Sequence, residues 1–104
     1  MADKKEKKTY DFVARGCLRG NRGEAWEALR RSGENSYLEF KAEPENEYDP
    51  NAIKILVRGE AYGMAGYVGR EFTEQIKKIM SKSYRIDILS AELTDKMAMR
   101  VTYS

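Results

Sequence analysis

The 104-residue chain contains no histidine and a single cysteine, Cys17. Without histidine there is no Ser-His-Asp triad, no imidazole general base and no ordinary His-containing zinc site. One cysteine forms no internal disulfide and supplies no thiolate cluster, which fits a reducing compartment and excludes structural zinc. The chain also lacks an apolar run long enough to span a bilayer. Net charge is only +2. Lys4, Lys5, Lys7 and Lys8 against Asp3 and Glu6 account for that excess, so residues beyond Lys8 are neutral in sum. Any anion-binding face must therefore come from local clustering. The two prolines, Pro44 and Pro50, both fall in one short polar stretch.

What is present suits one small domain. At 41% apolar and 35% charged residues, the composition is that of a globular chain with a modest core. Residues 1–8 read as a flexible charged tail and residues 9–104 as a single domain. The charged start is followed by no apolar region and is not expected to be a signal peptide. A cytoplasmic protein with no membrane contact is the expectation.

Tyr10, Phe12 and Ala14 alternate with Asp11, Val13 and Arg15, which predicts a strand. Gly20-Asn21-Arg22-Gly23 has the spelling of a KH-type GXXG loop, but a strand precedes it instead of a helix. It reads as a turn carrying Arg22. A helix is predicted from Glu24 to about Arg31, with Ala25, Trp26 and Leu29 on its apolar face and Ser32-Gly33 closing it. Strands follow at Tyr37 to Ala42, Ala52 to Val57 and Met64 to Val68, where Gly66 admits close approach of another backbone. Gly63, Gly66 and Gly69 lack the spacing and context of a dinucleotide-binding fingerprint.

A second helix is predicted from Arg70 to about Lys82. It buries Phe72, Ile76, Ile79 and Met80, carries a Glu74–Lys78 pair and turns Lys77, Lys78 and Lys82 to solvent. Strands from Tyr84 to Leu93 and Met97 to Tyr103 end the chain. The first changes its apolar phase midway, which predicts a bulge or bend. The order is β-α-β-β-β-α-β-β, a mostly β (α+β) fold with a small, curved, antiparallel sheet.

The most informative stretch runs from Glu43 to Ile55. Pro44 and Pro50 fix φ and push Glu43 and Asp49 toward extended geometry. Asn46, Asp49 and Asn51 have side chains short enough to bond nearby backbone N–H groups. The result is a stiff loop that presents Tyr48 and Asp49 and is tied to the core by the strand beginning at Ala52.

Pro44-x-Asn46-x-Tyr48-Asp49-Pro50-Asn51-Ala52-Ile53-Lys54-Ile55 resembles the signature segment of the HIRAN domain. Gly66-Tyr67-Val68-Gly69-Arg70 before a helix fits the same family, and the similarity runs from about Thr9 to the C-terminus. Such domains occur alone in bacteria and phages and fused to chromatin-remodelling and DNA-repair helicases. The resemblance implies a small OB-like or SH3-like β-barrel of about six strands with two helices that binds DNA. Its best understood members grip the 3′-hydroxyl end of a single strand.

On that resemblance, Asp49 accepts a hydrogen bond from the terminal hydroxyl and repels a continuing phosphate. It also serves as a turn residue capping its own backbone. Tyr48 stacks on a base or covers the barrel end. Tyr67 and Arg70 match positions that hold phosphates and the terminal nucleotide. Arg70 opens a helix, where an anion is welcome and a cation works slightly against the helix dipole. Asn46 and Asn51 brace the loop or touch the ligand. Lys54 points outward between Ile53 and Ile55 and is mainly solvated.

One departure stands out. The DNA-end-binding relatives carry an arginine followed by tyrosines at the end of the first strand, where this chain has Gly16, Cys17 and Leu18. Arg15 or Arg19 is then the substitute cation, and Tyr10, Tyr62 or Tyr67 the substitute ring. Losing one stacked base removes about 1–3 kcal/mol. The last hairpin offers Asp95 where an aromatic is expected.

The function expected is a non-enzymatic module that binds single-stranded or frayed DNA with a free 3′-hydroxyl, without cofactor or metal, in DNA repair. A repair or helicase enzyme is a possible protein partner. The alternative is a protein-interaction module that keeps the fold without the stacking platform. A nuclease would need clustered carboxylates, and the alternating acids Glu43, Glu45, Glu47 and Asp49 come without a general base or lysine partner.

Overall fold

A computed structural model describes residues 6–104. The expected tail therefore lies largely outside the described residues, and its last member, Lys8, already begins the first strand. The elements are β1 (Lys8–Arg15), α1 (Arg22–Ser32), β2 (Ser36–Ala42), β3 (Ile53–Gly59), β4 (Gly63–Val68), α2 (Thr73–Met80), β5 (Tyr84–Ile88) and β6 (Met97–Tyr103). This is the β-α-β-β-β-α-β-β order that periodicity predicts. No helix among the described residues is long and apolar enough to cross a membrane.

All strand pairs are antiparallel, in one six-stranded sheet of order β2-β3-β4-β1-β6-β5. β1 is shared between the two halves. Its residues Lys8 to Ala14 pair with β6, while only Ala14 and Arg15 pair with β4. The sheet curls toward a barrel without closing. Its outer strands β2 and β5 share no ladder and meet through a side chain, the Tyr84 hydroxyl accepting the Phe40 backbone N–H at 2.9 Å. Their rings lie 5.1 Å apart. Burying tyrosine at this seam is favourable because its body is apolar and its hydroxyl finds a partner.

Alternation puts Phe12 and Ala14, Leu38 and Phe40, Ile53, Ile55 and Val57, and Met97, Met99 and Val101 into one core. The helices add Ala25, Trp26, Ile76 and Ile79. β4 carries the bulge. Ile55 pairs with Gly66 and Leu56 with Met64, so Ala65 is the extra residue. The Trp26 indole N–H reaches the Ala65 carbonyl at 2.9 Å, which fixes α1 against β4 at that irregularity. Gly66 allows the predicted close approach: a Cβ there would sit 2.9 Å from the Arg15 carbonyl oxygen and 3.2 Å from Cys17 Sγ.

Three local expectations are corrected. The strand expected from Tyr84 to Leu93 stops at Ile88; the irregularity expected within it comes just after, where the N–H groups of Leu89 and Ser90 both donate to the Ala98 carbonyl, at 2.8 and 3.3 Å. The apolar phase changes there because the chain leaves the sheet, with Leu89 half exposed and Leu93 packed against the core. The second helix starts with a 3-10 turn, Arg70–Phe72, before the α-helical Thr73–Met80, and stops short of Lys82. Glu74 and Lys78 form no ion pair among the described residues.

Candidate functional site

The loop joining β2 to β3 is built on Asn46. Its Oδ1 accepts the backbone N–H groups of Tyr48 and Asp49 at 2.8 and 2.9 Å. Its Nδ2 donates to Glu43 Oε1 at 2.7 Å. Asp49 in turn accepts the Asn51 N–H at 2.9 Å. Backbone bonds from Glu43 N–H to the Ala52 carbonyl and from Ala52 N–H to the Asp49 carbonyl close the base of the loop. Asn46 and Asp49 thus brace the backbone as their residue types suggest. Asn51 does not: its side-chain oxygen instead accepts Lys77 Nζ at 2.7 Å.

Two groups of polar residues result. The first surrounds a groove between the loop and α2. Asp49 Oδ2 lies 3.4 Å from Arg70 Nε, and Asn51, Lys77, Glu71 and Glu74 line the same groove. The second is a row across the sheet. Lys54 pairs in register with Tyr67, and Tyr67 with Arg15, so the three stand side by side on the outer face.

Glu43 joins the row to the loop. It accepts the Tyr67 hydroxyl at 2.7 Å and lies 3.3 Å from Lys54 Nζ. The amide of Asn46, followed by the Tyr67 hydroxyl, holds the Glu43 carboxyl below its ordinary pKa. Burial, then the carboxylate beside it, raises that of the Tyr67 phenol. At the far end of the row, Arg15 reaches Glu71 at 2.6 Å, next to Arg70.

Asp49, Asn51 and Arg70 are therefore brought together, and Lys54, Tyr67 and Arg15 adjoin them through Glu43 and Glu71. Lys54 is ion-paired instead of simply solvated. Tyr48 projects from the loop with its side chain 91% exposed. Arg19 stands apart, lining a separate groove beside α1. Of the rings considered as substitutes, Tyr10 packs edge-on against Phe72 on the core, whereas Tyr62 is 71% exposed and Tyr67 half-buried.

The departure at the end of β1 has a structural use. Cys17 is fully buried, and burial pushes its thiol pKa up to about 11. Asp95 accepts the Cys17 N–H through its carbonyl at 3.0 Å and the Leu18 N–H through its carboxylate at 3.3 Å. Position 95 thus braces the end of β1.

Three residues join the site that their local sequence did not assign to it. Arg22 donates to the Gly16 carbonyl at 2.8 Å and lies over the Tyr67 ring at 5.3 Å. Glu43 is the common partner of Asn46, Tyr67 and Lys54. Lys77 follows Arg70 by seven residues, two helical turns, which is the one signal that could have placed it on Arg70's face.

Compared with known proteins, a family model described as the HIRAN domain matches residues 10–101, nearly the whole chain. No curated protein and no solved structure matches it.

Proposed function

The chain belongs to the HIRAN domain family, a family of nucleic-acid-binding modules, and on that premise we propose that it binds single-stranded or frayed DNA by a free 3′-hydroxyl end, without catalysis. The observation that carries this reading is the fixed carboxylate of Asp49. One oxygen is held by the Asn51 N–H, and the other faces the exposed guanidinium of Arg70.

A terminal hydroxyl donates to the Asp49 oxygen that faces the groove. Arg70, whose side chain is 78% exposed, turns from Asp49 to the preceding phosphodiester, and Lys77 adds charge beside it. Tyr48 stacks on the terminal base. Lys54, Tyr67 and Arg15 extend the surface, with Asn51 bracing the groove. A 3′-phosphate brings no donor at neutral pH and adds like charge beside Asp49. A hydrogen bond to a charged acceptor is worth about 1.5–3 kcal/mol, so the end group is discriminated by about tenfold or more. The acids of the loop do not act together, because Glu43 is engaged by Asn46, Tyr67 and Lys54. Action in DNA repair, beside a helicase or repair enzyme in a bacterial or phage-infected cytoplasm, belongs to the same reading.

The test is a ratio of affinities for oligonucleotides ending in 3′-hydroxyl or 3′-phosphate, measured by fluorescence anisotropy. Wild type should prefer the hydroxyl by about tenfold or more, and Asp49→Asn should erase most of that preference while keeping the fold. Equal wild-type affinities would sink end recognition. Absence of binding to either would point to a protein partner.

A further inference from the structure

A second groove lies beyond Tyr67, between α1, with the turn before it, and the connection from β3 to β4. Arg19, Asn21, Arg22 and Arg31 line one side, and Tyr62 and Met64 the other. Arg15, Lys54, Arg58, Arg70, Arg85 and Arg100 each have a carboxylate partner. Arg19, Arg22 and Arg31 have none among the described residues, although Glu24 shares the groove. Three cations against one carboxylate form the local clustering that the neutral sum of the residues beyond Lys8 conceals.

The groove is held in shape. Trp26 bonds the bulge carbonyl of Ala65, and Gly63 packs so close to α1 that a Cβ there would lie 2.8 Å from that of Ala25. Arg22 and Arg31 stand nine positions apart on α1, about 13 Å at the helical rise. Tyr62 offers an exposed ring on the facing wall. Arg22 also connects this groove to the first site, since its guanidinium lies over the ring of Tyr67.

We infer that this groove is a second binding surface for the sugar-phosphate backbone and bases of a single strand, upstream of the end held at Asp49. It rests on the end-binding reading, which places the 3′ terminus in the loop groove. From there the strand passes Tyr67 and Arg22, meets Arg19 and Arg31 through its phosphates and stacks a base on Tyr62. Unpaired guanidiniums beside an exposed ring suit single-stranded nucleic acid, where phosphate contacts and stacking together supply affinity without sequence readout. This ring replaces the stacking missing at Cys17 and Leu18.

The test uses the full chain and oligothymidylates of three and ten nucleotides, fluorescein-labelled at the 5′ end and carrying a free 3′-hydroxyl. The variant is Arg31→Ala with Tyr62→Ala, both at exposed positions, with folding checked by thermal melting. The ten-mer should bind the variant about tenfold or more weakly, while trimer affinity stays within about twofold. The salt dependence of ten-mer binding should flatten by about 0.7 of a unit for the lost phosphate contact. Equal weakening of both oligonucleotides, or of neither, would overturn the proposal. Binding of polyglutamate by wild type more tightly than the ten-mer at the same ionic strength, lost in the variant, would also overturn it, assigning the groove to an acidic protein. No trimer binding by wild type, with ten-mer binding kept and still sensitive to the variant, would sink end recognition and leave the groove standing.

Discussion

Asp49 and Arg70 face one another at 3.4 Å across the loop groove, the aspartate side chain 22% exposed and the arginine 78% exposed. The carboxylate is fixed by its own loop, whereas the guanidinium is mostly in water. An ion pair with one solvated member adds little to stability, about 1 kcal/mol at most. On the end-binding proposal, it keeps a cation where a phosphate would arrive.

Arg70→Ala should therefore melt within a few degrees of wild type and bind DNA more weakly, to a similar degree for all sequences. Its plot of log affinity against log salt should be shallower by about 0.7 of a unit for a single strand, since one phosphate contact is gone. An unchanged slope would remove Arg70 from the interface.

Asn46→Ala should cost about 1–2 kcal/mol, because two loop N–H groups lose their acceptor and Glu43 loses a donor. Tyr48→Ala, at an exposed ring, should change stability by no more than about 0.5 kcal/mol. Urea unfolding of both variants separates them. Both should bind DNA less well, the first because Asp49 is misplaced and the second because a stacking surface is lost.

The pH dependence of stability should carry the mark of Glu43. Its folded pKa is depressed, chiefly by the Asn46 amide and then by Tyr67. The folded chain thus binds that proton less readily than the unfolded chain. The stabilising contribution is present above the unfolded value of about 4.3 and is lost as pH falls through the folded value. Tyr67 has the opposite sign: its raised pKa gives a contribution present below about 10 and lost as pH rises through the folded value. Melting curves of Glu43→Gln should fall less steeply on the acid side than wild type, and those of Tyr67→Phe less steeply on the alkaline side. Parallel curves would show that the Glu43–Tyr67 bond is not kept in solution.

Cys17 should report on opening of the core. Burial and a thiol pKa of about 11 leave little reactive thiolate at pH 8. Iodoacetamide should modify the native protein far more slowly than the unfolded chain. Gly66→Ala, whose Cβ would press on the Arg15 carbonyl and Cys17 Sγ, should destabilise by about 1–3 kcal/mol and speed native-state labelling about tenfold or more. Equal rates for native and unfolded wild type would place Cys17 at the surface.

Local sequence carries much of this fold. The alternation of Phe12 with Ala14, of Leu38 with Phe40 and of Ile53 with Ile55 marks inward faces, since strand side chains repeat every two residues. Asn46 and Asp49 are legible as loop braces because their partners lie two or three residues away. The ends of β5 and α2 are less legible. Leu89 and Lys82 extend their local patterns, while the hydrogen-bonding neighbours that decide where an element stops are distant in sequence.

By itself, the sequence determined the order of the elements, the inward faces of most strands and the stiffness of the loop bearing Asp49, all set by backbone sterics and short-range hydrogen bonds. Tertiary structure alone decided that Glu43 would meet Tyr67, that Arg15 would meet Glu71 and that Arg22 would lie over Tyr67. These contacts depend on strand register and on how α1 seats against a bulge at Ala65. Register and seating come from packing the whole core at once, so a charge pattern that sums to neutrality beyond Lys8 becomes a row and two grooves only when the sheet curls.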